Sequence, residues 1–211
     1  MTKGDLSFLA ARLRSLRAAV EAAVIAEWPG CILPLVPDIN PNTREDPITR
    51  QLYMALVRTK RVPGRFVPQY EILQADPAGV VGVIGRIDLI LTVGDREDVY
   101  LACECKRLNV PRDGRLDIGN GAYVDEGLIK FIDRRYSRGL PSAMMIGYTL
   151  NGDIGAATAS LERMFEARKA IIGFKSISHE PIVPGYRRFT TIHERPESIP
   201  IELSHTMLPW T

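Results

Sequence analysis

The chain has 211 residues, 45% of them hydrophobic, with 27 Lys and Arg against 25 Asp and Glu, a length that suits one domain with a sizeable core. A net charge of +2 neither demands nor excludes a nucleic-acid partner, so that case rests on local clusters. No apolar run approaches the roughly 18 residues of a membrane span, and Glu21 breaks the one stretch that could imitate a signal peptide. Cys31, Cys103 and Cys105 cannot form a disulfide framework, which points to a reducing cytoplasm.

Leu6 to Trp28 reads as a long Ala- and Leu-rich helix stopped by Pro29-Gly30. A connector carrying Pro34, Pro37 and Pro41 follows. A second helix starts in "NTREDPITRQLYMALVRTK", capped either by Thr43 or by Asp46 with Pro47 at the first helical position. Its stripe is Ile48, Leu52, Ala55 and Leu56, with Glu45 at the head of that stripe if the helix includes it.

From Gln69 the periodicity turns to strands: Gln69–Leu73, Val83–Val93 and Val99–Arg107. The last two are joined by the polar turn "GDRED", which predicts a hairpin. Asn109–Gly121 reads as a polar loop. Ala122–Arg138 is then an amphipathic helix with Val124, Leu128, Phe131, Ile132 and Tyr136 inward. Ser142–Leu150 is a buried strand, Ile154–Ile171 a helix, and Arg187–His193 and Ile199–Leu203 two more strands. This order predicts an α/β fold, a mixed central sheet with helices on both faces.

The hairpin carries the chemistry. With its turn centred on Arg96, Leu91 faces Leu101, Asp88 faces Glu104 and Arg86 faces Lys106. One side then reads Ile87, Leu89, Leu91, Val93, Leu101, Cys103 and Cys105, almost wholly apolar. The other reads Arg86, Asp88, Ile90, Ala102, Glu104 and Lys106. Opposed carboxylates on neighbouring strands repel, and a divalent cation compensates, since Mg²⁺ is commonly held by one or two carboxylates beside a phosphate. Lys106 brings an ammonium to the same face, to orient or deprotonate a water or to steady charge on a phosphate. The alternative is an exposed hairpin whose polar face meets water, against which "LACECKRL" is too apolar around Glu104.

An Asp on one strand followed by Glu-x-Lys on the next, with an acidic residue on a preceding helix, resembles the core of PD-(D/E)XK nucleases. Here the residues are Asp88, Glu104-Cys105-Lys106 and Glu45; Ile87 stands where a proline is common. The likeness covers roughly Glu45 to Leu150, and the later "YVDEGLIKFIDRRYSRGLPSAMMIGY" is similar to a segment of phage-defence nucleases. It implies a restriction-endonuclease-like fold and a Mg²⁺- or Mn²⁺-dependent DNA endonuclease, with metal on Asp88, Glu104, Glu45 and the carbonyl of Cys105. It also implies an activating partner protein where the chain serves in defence. The layout is one domain, 1–211, with a helix and Pro-rich connector (1–42), a catalytic core (43–150) and a C-terminal helix and strands (151–211). The first helix offers a homodimer interface.

Glu21 and Glu71 are substitutes for the role of Glu45, whose ordinary alternative is an acidic first-turn residue favoured by the helix dipole. Arg107, Arg112 and Arg115 lie in or before the loop leaving the active strand and are placed to meet DNA. Lys130, Arg134 and Arg138, four residues apart, form either a phosphate-tracking stripe or a solvated face. Cys103 and Cys105 read as core thiols. His193 ends a strand within reach of a substrate groove, and with His179 and His205 it matches no zinc spacing. The rival to a nuclease is the same fold kept as a non-catalytic binding subunit.

Overall fold

The computed structural model describes residues 3–32, 44–94, 99–112, 115–117, 120–181, 183–196 and 198–210. The expectations at Pro34, Pro37, Pro41 and Thr43 and at the tip of the "GDRED" turn lie outside them.

The first helix, α1 (Lys3–Ile32), runs past the expected stop at Pro29-Gly30. Pro29 weakens the last turn by removing one N–H donor, but tertiary packing outweighs that loss. Trp28, Cys31 and Ile32 are buried, the Trp28 ring stacks on Tyr148 with centroids 5.3 Å apart, and its indole N–H donates to the Pro209 carbonyl at 2.6 Å. The helix offered as a homodimer interface buries Leu13, Leu16, Val20 and Val24 in this chain's own core.

In α2 (Glu45–Thr59) the N-cap is Arg44 in extended conformation, with no side-chain cap. Asp46 is therefore a first-turn residue and not the cap. Pro47 sits among the N–H groups that lack helical partners in any case.

Among the described residues seven strands form one mixed sheet. They are β1 (Arg65–Ala75), β2 (Val81–Thr92), β3 (Tyr100–Leu108), β6 (Ser142–Thr149), β7 (Phe174–His179), β8 (Arg187–His193) and β9 (Ile201–Pro209). Their order across the sheet is β1-β2-β3-β6-β9-β8-β7. β3, β6 and β9 run parallel, and the remaining neighbours are antiparallel. β6 is buried at every position, as a central strand covered on both faces requires.

Helices cover both faces. α1 and α2 close one core with Leu89, Leu91, Cys103 and Ile146. The other core lies under a helical segment, α3 (Asn120–Ala122), a π-helical turn (Tyr123–Leu128) and α4 (Ile129–Ile132), together with α5 (Ile154–Ala167). Asp153 caps α5 by accepting from the Ala156 N–H at 2.9 Å. No helix among the described residues is long and apolar enough to cross a membrane.

Several expectations need correction. The polar loop at 109–121 contains a two-stranded ribbon, β4 (Val110–Arg112) with β5 (Arg115–Asp117); Asp113-Gly114 is the hairpin signal that marks it. The helix expected to reach Arg138 ends at Ile132, and Arg134 and Ser137 take left-handed conformations (φ 65° and 51°). Tyr136 still packs inward, from the turn: its hydroxyl donates to the Arg86 carbonyl at 2.5 Å. The basic stripe Lys130, Arg134, Arg138 therefore does not lie along one helix. α5 stops at Ala167 rather than Ile171, β9 extends beyond Leu203, and β7 was not foreseen.

Candidate active site

β2 and β3 pair in the expected register, Leu91 opposite Leu101 and Leu89 opposite Cys103. There the backbone ladder stops. Beyond it β3 pairs only with β6, while β2 stays with β1, so the two strands part at Asp88 and Glu104. The Asp88 side chain fills the gap, and its Oδ2 accepts from the Cys105 N–H at 2.7 Å. The same break shifts the facing of Ile87, which packs in the core under α4 and α5 instead of beside Leu89. On the β1 side, Gln69 is also outside the ladder and holds φ 51°, an uncommon conformation for a residue with a side chain. Its Nε2 lies 3.4 Å from Asp88 Oδ1.

Around this gap the charges form one cluster. Lys106 Nζ lies 2.8 Å from Glu45 Oε1 and 3.1 Å from Glu104 Oε1, and Lys130 Nζ lies 2.8 Å from the same Glu104 oxygen. Arg107 Nε stands 3.9 Å from Glu45 Oε2. Asp88, Glu104 and Lys106 are all buried. Glu45 sits at the head of α2, as anticipated, and is joined to the cluster through Lys106.

Burial, then the neighbouring Glu104 carboxylate, pushes the Asp88 carboxyl up to about 7; Lys106 and the Cys105 N–H pull the other way. For Lys106, burial favours the neutral amine, but Glu104, Glu45 and Asp88 together outweigh it and hold the ammonium well above the usual range. Lys130 behaves likewise: burial opposes its charge and Glu104 restores it. Glu104 Oε2 is buried without a hydrogen-bond partner among the described residues.

The helical cover approaches closely. A Cβ on Gly127, in the π-helical turn, would lie 2.8 Å from Met145 Cε, 3.3 Å from Lys106 Cγ and 3.7 Å from Glu104 Cγ. Only a residue without a side chain lets this turn lie so near. π-helical turns are uncommon and occur often beside functional sites.

Comparison with known protein families, with curated proteins and with solved structures finds no match. The reading of the site therefore rests on its own chemistry.

Among the described residues no three His, Cys, Asp or Glu side chains converge as a metal cage; Lys106 stands between Glu45 and Glu104. The donor set nevertheless suits a hard divalent ion that needs only one or two carboxylates and otherwise keeps its water. Burial and then Glu104 disfavour the Asp88 carboxylate, and Glu104 Oε2 has no hydrogen-bond partner among the described residues. Each of these features is relieved by a cation.

The remaining predicted residues separate. Glu71 pairs with Arg86 at 3.0 Å on the surface. Glu21 is buried elsewhere, accepting from Ser204 and paired with Arg17 and Arg188. Arg112 and Arg115 are backbone partners in the ribbon, and only their backbone is described. Cys103 and Cys105 are buried thiols raised by desolvation, Cys103 to about 12.

His193 does not face a groove: it is fully buried. Its Nδ1–H donates to the Ile172 carbonyl at 2.8 Å, so its Nε2 accepts from the Thr191 hydroxyl at 2.8 Å. Thr191 Oγ1 then accepts from His205 Nε2–H at 2.7 Å, and His205 Nδ1 accepts from the Tyr123 hydroxyl at 2.8 Å. This chain ties β8 and β9 to the start of the π-helical turn.

Sequence reasoning missed Gln69 as a contact of Asp88, and with it Arg50 and Tyr53, which line a cavity shared with Asp88. The available signal was the exposed side of α2, where Arg50, Tyr53, Val57 and Lys60 recur at three- and four-residue spacing.

Proposed function

We propose that this chain is a nuclease that hydrolyses DNA phosphodiesters with Mg²⁺ or Mn²⁺, on a core of the PD-(D/E)XK, restriction-endonuclease-like type. The observation that carries the reading is the convergence of Asp88, Glu104 and Lys106 where β2 and β3 part, with two mutually repelling carboxylates and a buried carboxylate oxygen that has no partner among the described residues. Asp88 and Glu104 would hold the cation, which supplies positive charge against phosphate oxygens.

The protein's own groups have distinct parts. Lys106, whose ammonium Glu104 and Glu45 favour, orients a water and steadies the charge developing on the phosphate. Glu45 positions that ammonium. The π-helical turn at Gly127 excludes bulk water from the inner side of Glu104 and Lys106, which strengthens each charge interaction there.

One observation favours a second reading, a binding subunit without catalysis: Lys106 and Lys130 already share Glu104 Oε1, a salt-bridge cluster that can stand without a cation. Calorimetric titration with Mg²⁺ and Mn²⁺ separates the two. The nuclease reading requires saturable binding that Asp88→Ala and Glu104→Ala weaken. No uptake of either metal, or unchanged uptake by Asp88→Ala, favours the binding subunit.

A further inference from the structure

Two cavities lie along α2 and meet at one residue. The first, about 450 Å³, is lined by Asp88, Gln69, Arg86, Arg50 and Tyr53 among others. The second, about 370 Å³, continues past Tyr53 to Lys60 and Arg65. Taken together they follow α2 as a groove from the candidate active site, over about 20 Å between Asp46 and the helix end at Thr59 at the usual helical rise.

Its charged lining is mainly basic, and Leu56, Val57, Val62 and Phe66 add apolar wall to the second cavity. Of the residues that line it, Arg50, Lys60, Arg65 and Arg86 are cationic and only Asp46 and Asp88 acidic. Arg50, Lys60 and Arg65 are exposed and have no ion-pair partner among the described residues. Arg86 is paired to Glu71, but both side chains are about half exposed, and such pairs are readily exchanged for another anion. Tyr53 is half-buried and stands at the junction of the cavities.

At the inner end the wall of the groove is held in an uncommon backbone conformation. Gln69 keeps a left-handed backbone in the middle of β1, where an extended residue would pair with β2. Backbone strain of this kind costs about 1–3 kcal/mol and persists where the surroundings impose it, often at ligand contacts. The strained residue sets an amide beside Asp88 on the wall of the groove.

We propose that this groove holds a single nucleic-acid strand, its phosphates against Arg50, Arg86, Lys60 and Arg65 and one base stacked on Tyr53, leading the strand to Asp88. The proposal rests on the nuclease reading for its direction. Each cavity has the volume of a site for one nucleotide-sized group, and a basic track with an interposed aromatic is how single strands are held without base reading.

The test is fluorescence anisotropy with a labelled short oligothymidylate and a blunt duplex of the same length, in EDTA so that no cleavage occurs. The oligothymidylate is expected to bind more tightly than the duplex. Tyr53→Leu, which preserves apolar packing, should weaken it about tenfold, and Tyr53→Phe should not. Arg50→Ala and Lys60→Ala should each lower the slope of log affinity against log salt by about 0.7, which a structural role would not do. Arg163→Ala, exposed on α5, should change nothing. No binding of the oligothymidylate, preference for the duplex, or wild-type affinity and slope in the groove variants overturns the proposal. The two readings can fail separately. Groove variants that weaken binding in a protein that cuts nothing with any metal leave the groove and remove the nuclease. Asp88-dependent cleavage unaffected by the groove variants leaves the nuclease and removes the groove.

Discussion

Asp88 Oδ2 accepts the Cys105 N–H at 2.7 Å across the point where β2 and β3 separate. A side chain thus takes the place of a ladder hydrogen bond, and it holds a carboxyl in a buried wedge beside Glu104. The strands cannot close over this carboxylate without expelling it, so the gap and the charge sustain each other.

Relieving the repulsion stabilises the metal-free protein. Asp88→Asn keeps an oxygen for the Cys105 N–H and removes a charge that burial and Glu104 disfavour. Its melting temperature in EDTA at pH 8 should rise by several degrees, since about 1 kcal/mol moves Tm by roughly 2–4 °C in a chain of this size. Added Mg²⁺, which should raise the wild-type Tm, should no longer act. A lower Tm in EDTA contradicts the repulsion.

Metal affinity should depend on pH through Asp88. Its carboxyl titrates near 7 in the folded chain, and a cation competes with that proton. Above pH 7 affinity should be level; below it, affinity should fall by up to about tenfold per pH unit until other carboxylates protonate. Mn²⁺ titrations from pH 8 to 5.5 measure this, and a flat profile speaks against Asp88 as a ligand.

Lys106 is bound to two carboxylates and Lys130 to one. Lys106→Met should abolish cleavage and destabilise the fold toward the roughly 3–5 kcal/mol typical of a broken buried pair. Lys130→Met should cost less of both, because Lys106 still covers Glu104. Chemical denaturation alongside turnover rates ranks the two variants, and equal losses contradict the assignment.

The buried histidines predict acid sensitivity away from the site. Burial lowers His193 to about 4 and drives His205 well below 6.5. Between pH 6.5 and about 4 the unfolded imidazoles take protons that the folded ones refuse, so stability present above 6.5 is lost as pH falls, by up to about 1.4 kcal/mol per unit per histidine. Urea midpoints at pH 7 and 5 should differ more in wild type than in His193→Gln. Equal differences would mean that His193 is not the neutral group its hydrogen bonds require.

The apolar residues of "RIDLILTV" and "YLACECKRL" and the short polar turn between them were enough to set the β2–β3 register and bring Asp88, Glu104 and Lys106 together, because a one-residue slip would exchange the side chains that the two cores bury. The same logic failed for Ile87, since a sequence pattern does not show where a ladder will break. Pro29 and Gly30 read as a stop because Trp28's partners, Tyr148 and Pro209, are far along the chain. The helix ending at Ile132 was equally hidden: Tyr136 keeps its inward position from a turn that periodicity cannot tell from a helix. The cationic groove escaped notice because Arg50 and Lys60 look like ordinary surface residues until β1 and β2 are laid beside α2.

The measurement closest to the central claim is cleavage of supercoiled plasmid and of single-stranded DNA with Mg²⁺, Mn²⁺ or EDTA, running wild type beside Asp88→Ala and Lys106→Ala. Metal-dependent cutting that both substitutions abolish and EDTA suppresses is the predicted result. Cutting that survives either substitution in folded protein, or no cutting with either metal on either substrate, contradicts it.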